Sequence, residues 1–180
     1  ASYNTFSFEP EQMPLEKRAE QIREVVAESV EAHQISDVEV GSFLSGGIDS
    51  SVIAALSRPD KTYSVGFANK DFDETGEAKA LCEELGLRNI SKTISAEEFF
   101  DSLPTIQYYA DEPNANLSTV PLYFLSQLAA QDVKAVLSGE GADELFGGYM
   151  SYHTTRAYEA YRRLPQGLRR AVSRWAAGRP

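Results

Sequence analysis

Four short β-rich runs alternate with stretches of helical periodicity, and this alternation constrains the fold more than any other feature of the sequence. The runs are Val38–Leu44 ("VEVGSFL"), Lys61–Phe67 ("KTYSVGF"), Asn89–Ser95 ("NISKTIS") and Val133–Gly139 ("VKAVLSG"). From Leu15, apolar residues recur at Ala19, Ile22, Val26 and Val30, with His33 next, which predicts a first helix with one buried stripe. "SSVIAALS" reads as the start of a second helix. Asp73–Gly86 has acids in its first turn, Ala78, Leu81, Cys82 and Leu85 on one face, and Gly86 as a stop. Further helices are predicted near 96–103 and 119–131, the latter with Pro121 close to its first turn. From Gly148 onward the chain reads mostly as helix, with a break at Pro165. Strands alternating with helices predict an α/β fold, a parallel sheet flanked by helices on both faces. Ligands of such sheets bind beyond the carboxyl ends of the strands.

Two glycine-and-acid stretches fall at predicted strand ends. In "FLSGGIDSS", Phe43–Ser51, Gly46 and Gly47 allow positive φ and a close approach of backbone. The free N–H groups of the following helix start, with the helix dipole, make an anion site. Ser45, Ser50 and Ser51 add hydroxyl donors. The loop is neither a G-K-[ST] phosphate loop nor G-x-G-x-x-G. Asp49 has two local readings. It caps the helix after a glycine turn, or it holds a cation between itself and a phosphate, since a bare carboxylate repels phosphate. Mg²⁺ takes carboxylate and phosphate oxygens together, so the second reading implies Mg²⁺-nucleotide. In "SGEGADELFGGY", Glu140, Asp143 and Glu144 follow another strand, with Gly139 and Gly141 loosening the backbone. Four acids facing one crevice form a ligand set with a metal and are unfavourable without one. A solvated acidic turn is the plain alternative.

Composition narrows the class. The net charge of -10 opposes nucleic acid as a main partner, because a duplex binder needs a basic face. From Arg156 onward, however, seven arginines stand against one acid, Glu159. Leu164, Leu168, Val172, Trp175 and Ala176 fall near one face of this basic tail, and the stripe predicts packing on the chain's own core or on another copy in a homodimer rather than on a membrane. No apolar run reaches a membrane span of about 18 residues. The single cysteine, Cys82, excludes an internal disulfide framework and a cysteine zinc site, and a reducing cytoplasm is expected. Cys82, His33 and His153 read as structural or surface residues. Residues 1–13 read as a tail or former linker, and 14–180 as the folded domain. With no initiator methionine and no closing element after "WAAGRP", a piece of a longer protein is expected.

"LSGGIDSS" paired with "VLSGEGADELFGGY" about 90 residues later resembles the synthetase domain of glutamine-dependent asparagine synthetases, and more generally the PP-loop of ATP pyrophosphatases. "YSVGF" and "DEPNANLSTVPLYFLS" fit the same family, and the resemblance covers roughly residues 15–160. It implies an adenine nucleotide alpha-hydrolase-like fold. It implies that Ser45, Gly46, Gly47, Asp49, Ser50 and Ser51 cradle the pyrophosphate of ATP, and that Asp49 and Asp143 hold Mg²⁺. Phe43, Leu44, Val65, Ser138 and Gly139 would contact the nucleotide, and Glu140 would stand close to the reacting centre. The implied reaction activates a carboxylate, expected to be the aspartate side chain, as acyl-AMP with release of pyrophosphate; ammonia then displaces AMP to give asparagine.

Three departures matter. The family's glutaminase domain begins with a nucleophilic cysteine, and Cys82 is mid-chain, so that domain is expected elsewhere in the same protein. The family's later segment, with a reactive lysine, is expected beyond Pro180. Some members carry an arginine in the stretch matching "NANLSTVP", and this chain has none, which leaves the acyl acceptor open. Other readings are a β-lactam synthetase-like ligase, an amidotransferase acting on a cell-envelope precursor, or a nucleotide-binding module without catalysis. A tRNA-thiolating enzyme is disfavoured by the acidic charge and the lack of paired cysteines.

Overall fold

The computed structural model describes residues 11–70, 73–152 and 156–177. His153 and most of the predicted tail lie outside them. The chain divides into two compact units, 1–139 and 140–180. In the first, α1 (Leu15–His33), β1 (Val40–Phe43), α2 (Ile48–Ser57), β2 (Lys61–Phe67), α3 (Thr75–Leu85), β3 (Arg88–Ile94), α4 (Ala96–Tyr109), α5 (Thr119–Ala129) and β4 (Ala135–Leu137) follow one another. All four predicted strands are present. They pair in parallel in the order β3-β2-β1-β4. Register runs from Lys61 opposite Arg88 to Phe67 opposite Ile94, and Ser42 lies between Thr62 and Leu137. The chain leaves β1 toward β2 on one side and returns to β4 on the other, so the β1–β4 neighbourhood is a switch point of the sheet.

The two-residue period of β2 sends its side chains to opposite layers. Thr62 and Ser64 face the side where Leu44, Ala54, Ala78 and Cys82 are buried with α2 and α3. Tyr63, Val65 and Phe67 face the other side. There Ile94, Ile106, Val120 and Phe124 form one buried cluster, and Tyr63, Ala129 and Val133 another. Both faces are thus covered, as the alternation predicted. Cys82 is 2% exposed and is a core residue, its Sγ 3.2 Å from Thr62 Oγ1.

Helix ends follow local chemistry. Gly86 closes α3 at φ 70°, and Ser95 opens α4 with a reciprocal bond to Glu98. Two expectations need correction. Helix α4 continues through Pro104 to Tyr109 rather than ending at 103. Ile106, buried against Ile94, Val120 and Phe124, supplies packing that offsets the hydrogen bond lost at the proline. The predicted stripe of α1 is buried only at Val30, while Ile22 remains 38% exposed. The helix packs through its C-terminal end, where Gln34 Nε2 donates to Ser57 O at 2.6 Å. His33 donates from Nδ1 to Ser29 O on the exposed side of its own helix.

In the second unit, a short α6 (Ala142–Phe146) not anticipated from sequence precedes a 3-10 turn at Met150–Tyr152, then α7 (Arg156–Arg163) and α8 (Gln166–Ala177). The break at Pro165 lies where predicted. Helix α8 turns back on α7 through a 2.8 Å bond between Tyr161 Oη and Ser173 Oγ. Of the predicted stripe, Leu164 is half-buried, and Leu168, Val172 and Trp175 are exposed within this single chain. No described helix is long and apolar enough to cross a membrane.

Candidate functional site

The first glycine stretch lies at the carboxyl end of β1 and runs into α2. Its geometry starts at Leu44, whose N–H donates to Tyr63 O at 2.9 Å while Ser64 Oγ donates to its carbonyl at 2.7 Å. Ser64 is itself held by Asn89 Nδ2 at 2.9 Å, and the same amide reaches Thr62 Oγ1 at 3.0 Å. This buried polar ladder fixes the last residue before the loop. Sequence reading missed Thr62, Ser64 and Asn89; the only available signal was polar residues at alternate positions inside an otherwise apolar strand.

The predicted cradle residues do come together. Ser50 Oγ accepts from Ser45 N at 3.1 Å, and the two serine hydroxyls are 2.9 Å apart. Gly47 N–H donates to Ser45 Oγ, and Ser51 Oγ donates to Gly47 O at 2.7 Å. Of the two freedoms glycine offers here, positive φ is used by neither Gly46 nor Gly47. Close approach explains Gly46: a Cβ there would stand 3.0 Å from Glu77 Cβ and 3.1 Å from Glu74 Cβ. The N-cap of α2 is Gly47, and no side chain caps the helix. Asp49 is exposed within the first turn, which removes its reading as the cap. The first-turn N–H groups of this ten-residue helix therefore lack a side-chain capping bond, the arrangement in which a helix N-terminus can accept an anion.

Of the other predicted contacts, Leu44 and Val65 turn their side chains into the two core layers, and Phe43 packs beside Tyr63. These three can meet a nucleotide only through backbone or a partly exposed edge. Ser138 and Gly139 follow β4. A Cβ on Gly139 would lie 2.7 Å from Asp49 C and Ser50 N, so the first glycine of the second stretch is seated directly against the start of α2. The two stretches, 90 residues apart in sequence, meet at the carboxyl ends of neighbouring strands.

The second unit holds Glu140 and Asp143. Gly141 is the N-cap of α6 with φ 93°, a conformation that favours glycine, and Gly147 closes the helix at φ 70°. A side chain on Gly148 would collide with the Asp143 carboxylate. Glu144 accepts from Tyr149 Oη at 2.7 Å, which holds its carboxyl below the usual range. That bond, with the charges of Glu144, Asp143 and Glu140, pushes the Tyr149 phenol up to about 12. One oxygen of the Glu144 carboxylate, Oε1, is thus taken by a tyrosine hydroxyl. Among the described residues no group of three or more His, Cys, Asp or Glu converges as a metal site. The same unit has a cavity of about 380 Å³ lined by Tyr161, Gln166, Ser173 and three arginines.

The stretch matching "NANLSTVP" is held partly by its own side chains and partly by Gln107 of α4. Gln107 and Asn114 exchange two hydrogen bonds, and Asn114 and Asn116 each accept a backbone N–H two residues on.

The family model described as asparagine synthase matches residues 21–179. Glutamine-hydrolysing asparagine synthetase 1 of Bacillus subtilis is 43% identical over 99% of this chain and 29% of that protein. A putative glutamine-hydrolysing asparagine synthetase of Mycobacterium bovis is 45% identical over 87% of this chain and 25% of that protein. The chain therefore spans under a third of the length of these relatives. Among solved structures it is similar to the NH3-dependent NAD synthetase of Campylobacter jejuni (23% identity, TM-score 0.43, 77% of this chain, 62% of that one). It is also similar to the NMN synthetase of Francisella tularensis (18%, 0.47, 77% and 60%). With its paired glycine motifs in place and the family model matching nearly its whole length, this chain belongs to the asparagine synthase family.

Proposed function

We propose that the chain, from residue 14 to 180, is the nucleotide-binding part of an ATP-dependent amide-forming ligase, with ATP bound at the carboxyl ends of β1 and β4. The observation that carries this is the seating of Gly139 on Asp49 and Ser50, which joins the two glycine stretches into one backbone surface beside the uncapped end of α2. The loop N–H groups and the Ser45, Ser50 and Ser51 hydroxyls suit the β- and γ-phosphates. Donors held there stabilise pyrophosphate as it leaves. Asp49 and Asp143 are the proposed holders of Mg²⁺. Their fit rests on one property: neither carboxylate is engaged by a protein hydrogen bond or ion pair among the described residues. Mg²⁺, when bound, supplies neutralisation of the polyphosphate charge.

In this reading a carboxylate oxygen of the acceptor attacks the α-phosphorus. The bond to the bridging oxygen breaks, and pyrophosphate leaves with the electron pair. The nitrogen of ammonia then attacks the acyl carbon, the acyl C–O bond breaks with its electron pair leaving on AMP, the nitrogen gives up one proton to solvent, and an amide results. Glu140 is the proposed acid beside the reacting centre. The family relationship supports the aspartate side chain as acceptor. The absence of an arginine from Asn114–Pro121 favours a second reading, a ligase of the same class with a different carboxylate. Ammonia would come from a glutaminase domain in the same protein, as the relatives' glutamine-hydrolysing names suggest.

Calorimetry with ATP and with pyrophosphate, with Mg²⁺ and with EDTA, tests the nucleotide reading. Binding should be tighter with Mg²⁺, and Asp49→Asn should remove most of that difference while leaving the thermal midpoint unchanged. Equal affinity under both conditions would remove the metal from the account. No binding under either would remove the nucleotide.

A further inference from the structure

We propose that Glu74 is a resident occupant of the phosphate loop, an internal anion that a bound polyphosphate must displace. This rests on reading residues 45–51 as a phosphate cradle. The observation is one hydrogen bond: Gly46 N–H donates to Glu74 Oε2 at 3.3 Å. That N–H belongs to the donor set offered to a phosphate oxygen, and a carboxylate oxygen already takes it.

The contact is built into the chain path. Glu74 is the N-cap of α3, and its Cβ lies 3.1 Å from where a Gly46 Cβ would be. Asp73, the preceding residue, accepts from Thr75 N at 3.2 Å and from Thr75 Oγ1 at 2.7 Å, which anchors the start of α3. Gly66, near the end of β2, leaves the room that the Asp73 carboxylate occupies. Strand β2, the Asp73 turn and α3 therefore deliver Glu74 to the loop in a set position. Glu77 stands at the same wall, 3.0 Å from the same point, yet no described hydrogen bond joins its carboxylate to the loop. None of the described ion pairs gives Glu74 a cation partner. Its charge is thus directed at the cradle.

Two consequences follow for a polyanion arriving without a cation. It must break the Gly46–Glu74 bond, and it must sit beside an unneutralised carboxylate. Both disfavour it. Glu74 therefore sets a threshold for entry and keeps bare anions from occupying the loop.

The test is calorimetric titration of the full chain with inorganic pyrophosphate in EDTA, comparing wild type, Glu74→Gln, Glu74→Ala and Glu77→Gln. Both glutamates are exposed, and thermal melting checks that each variant folds. Glu74→Ala should bind pyrophosphate roughly three- to tenfold more tightly than wild type, the size of a solvent-exposed charged contact. Glu74→Gln, which keeps an acceptor oxygen but not the charge, should fall between, and Glu77→Gln should match wild type. Unchanged or weaker binding by both Glu74 variants overturns the proposal and leaves the phosphate cradle standing. An equal gain in Glu77→Gln also overturns it, because general acidity then explains the effect. If no variant binds pyrophosphate in EDTA or with Mg²⁺, the cradle reading falls and this proposal falls with it.

Discussion

Gly139→Ala tests the join between the two glycine stretches. An alanine Cβ there would lie 2.7 Å from Asp49 C and Ser50 N and 3.0 Å from Asp49 Cβ. Ordinary contact begins near 3.4 Å, so about 0.7 Å of movement is needed. The nearest atoms are backbone, so no side-chain rotation provides it. Either the start of α2 or the end of β4 must shift. Overpacking of this kind costs about 1–3 kcal/mol. If the fold absorbs the strain by moving α2, the phosphate donors move with it, and ATP affinity should fall by about tenfold or more, since each 1.4 kcal/mol is tenfold. Urea unfolding followed by circular dichroism reads the first effect, and calorimetric titration with Mg²⁺-ATP the second. Gly76→Ala is the control. A Cβ at Gly76 meets nothing within 4 Å, and it lies inside α3, so stability should hold or rise by up to about 1 kcal/mol. A Gly139→Ala protein within about 0.5 kcal/mol of wild type, the usual range for surface substitutions, and with unchanged ATP affinity would refute the reasoning.

Ser64→Ala should destabilise by about 1–3 kcal/mol in the same urea assay, because Leu44 O and one Asn89 amide hydrogen lose their buried partner. Glu98 is held down to about 2, first by the hydrogen bond from Lys92 at 2.6 Å and then by Ser95 N–H. Its carboxylate therefore favours the fold above the unfolded value of 4.5, and that contribution is lost as pH falls from 4.5 toward 2. The thermal midpoint of Glu98→Gln should change less over that window than the wild type's. Tyr149→Phe should let the Glu144 carboxyl rise toward its ordinary value, read by carboxyl-carbon NMR titration. In the wild type, Tyr149 should deprotonate near 12 rather than 10 in an absorbance titration, and its share of stability should disappear as pH rises across that interval.

The four strands, the parallel sheet and the position of both motifs at strand ends were legible from the order of residues alone. The reason is that a short run rich in β-branched and aromatic residues marks a strand and apolar repeats near 3.6 residues mark a helix, so both marks are local. The family was legible in the same order, because glycines and acids at set spacing survive as a string. Matters of distance between segments were not legible there and emerge from the folded chain. That Gly46 is glycine because α3 crowds it, not because its φ is positive, depends on Glu74 and Glu77 arriving from 28 and 31 residues away. That helix α4 runs through Pro104 depends on Ile106 finding Ile94, Val120 and Phe124. The exposure of the α1 stripe depends on which element packs beside it. That Glu144 serves Tyr149 while Asp49 and Asp143 do not serve any described partner is a matter of side-chain direction. Composition and spacing carry periodicity and charge; they do not carry which surfaces meet, and the contact between Gly139 and the first turn of α2 is such a meeting.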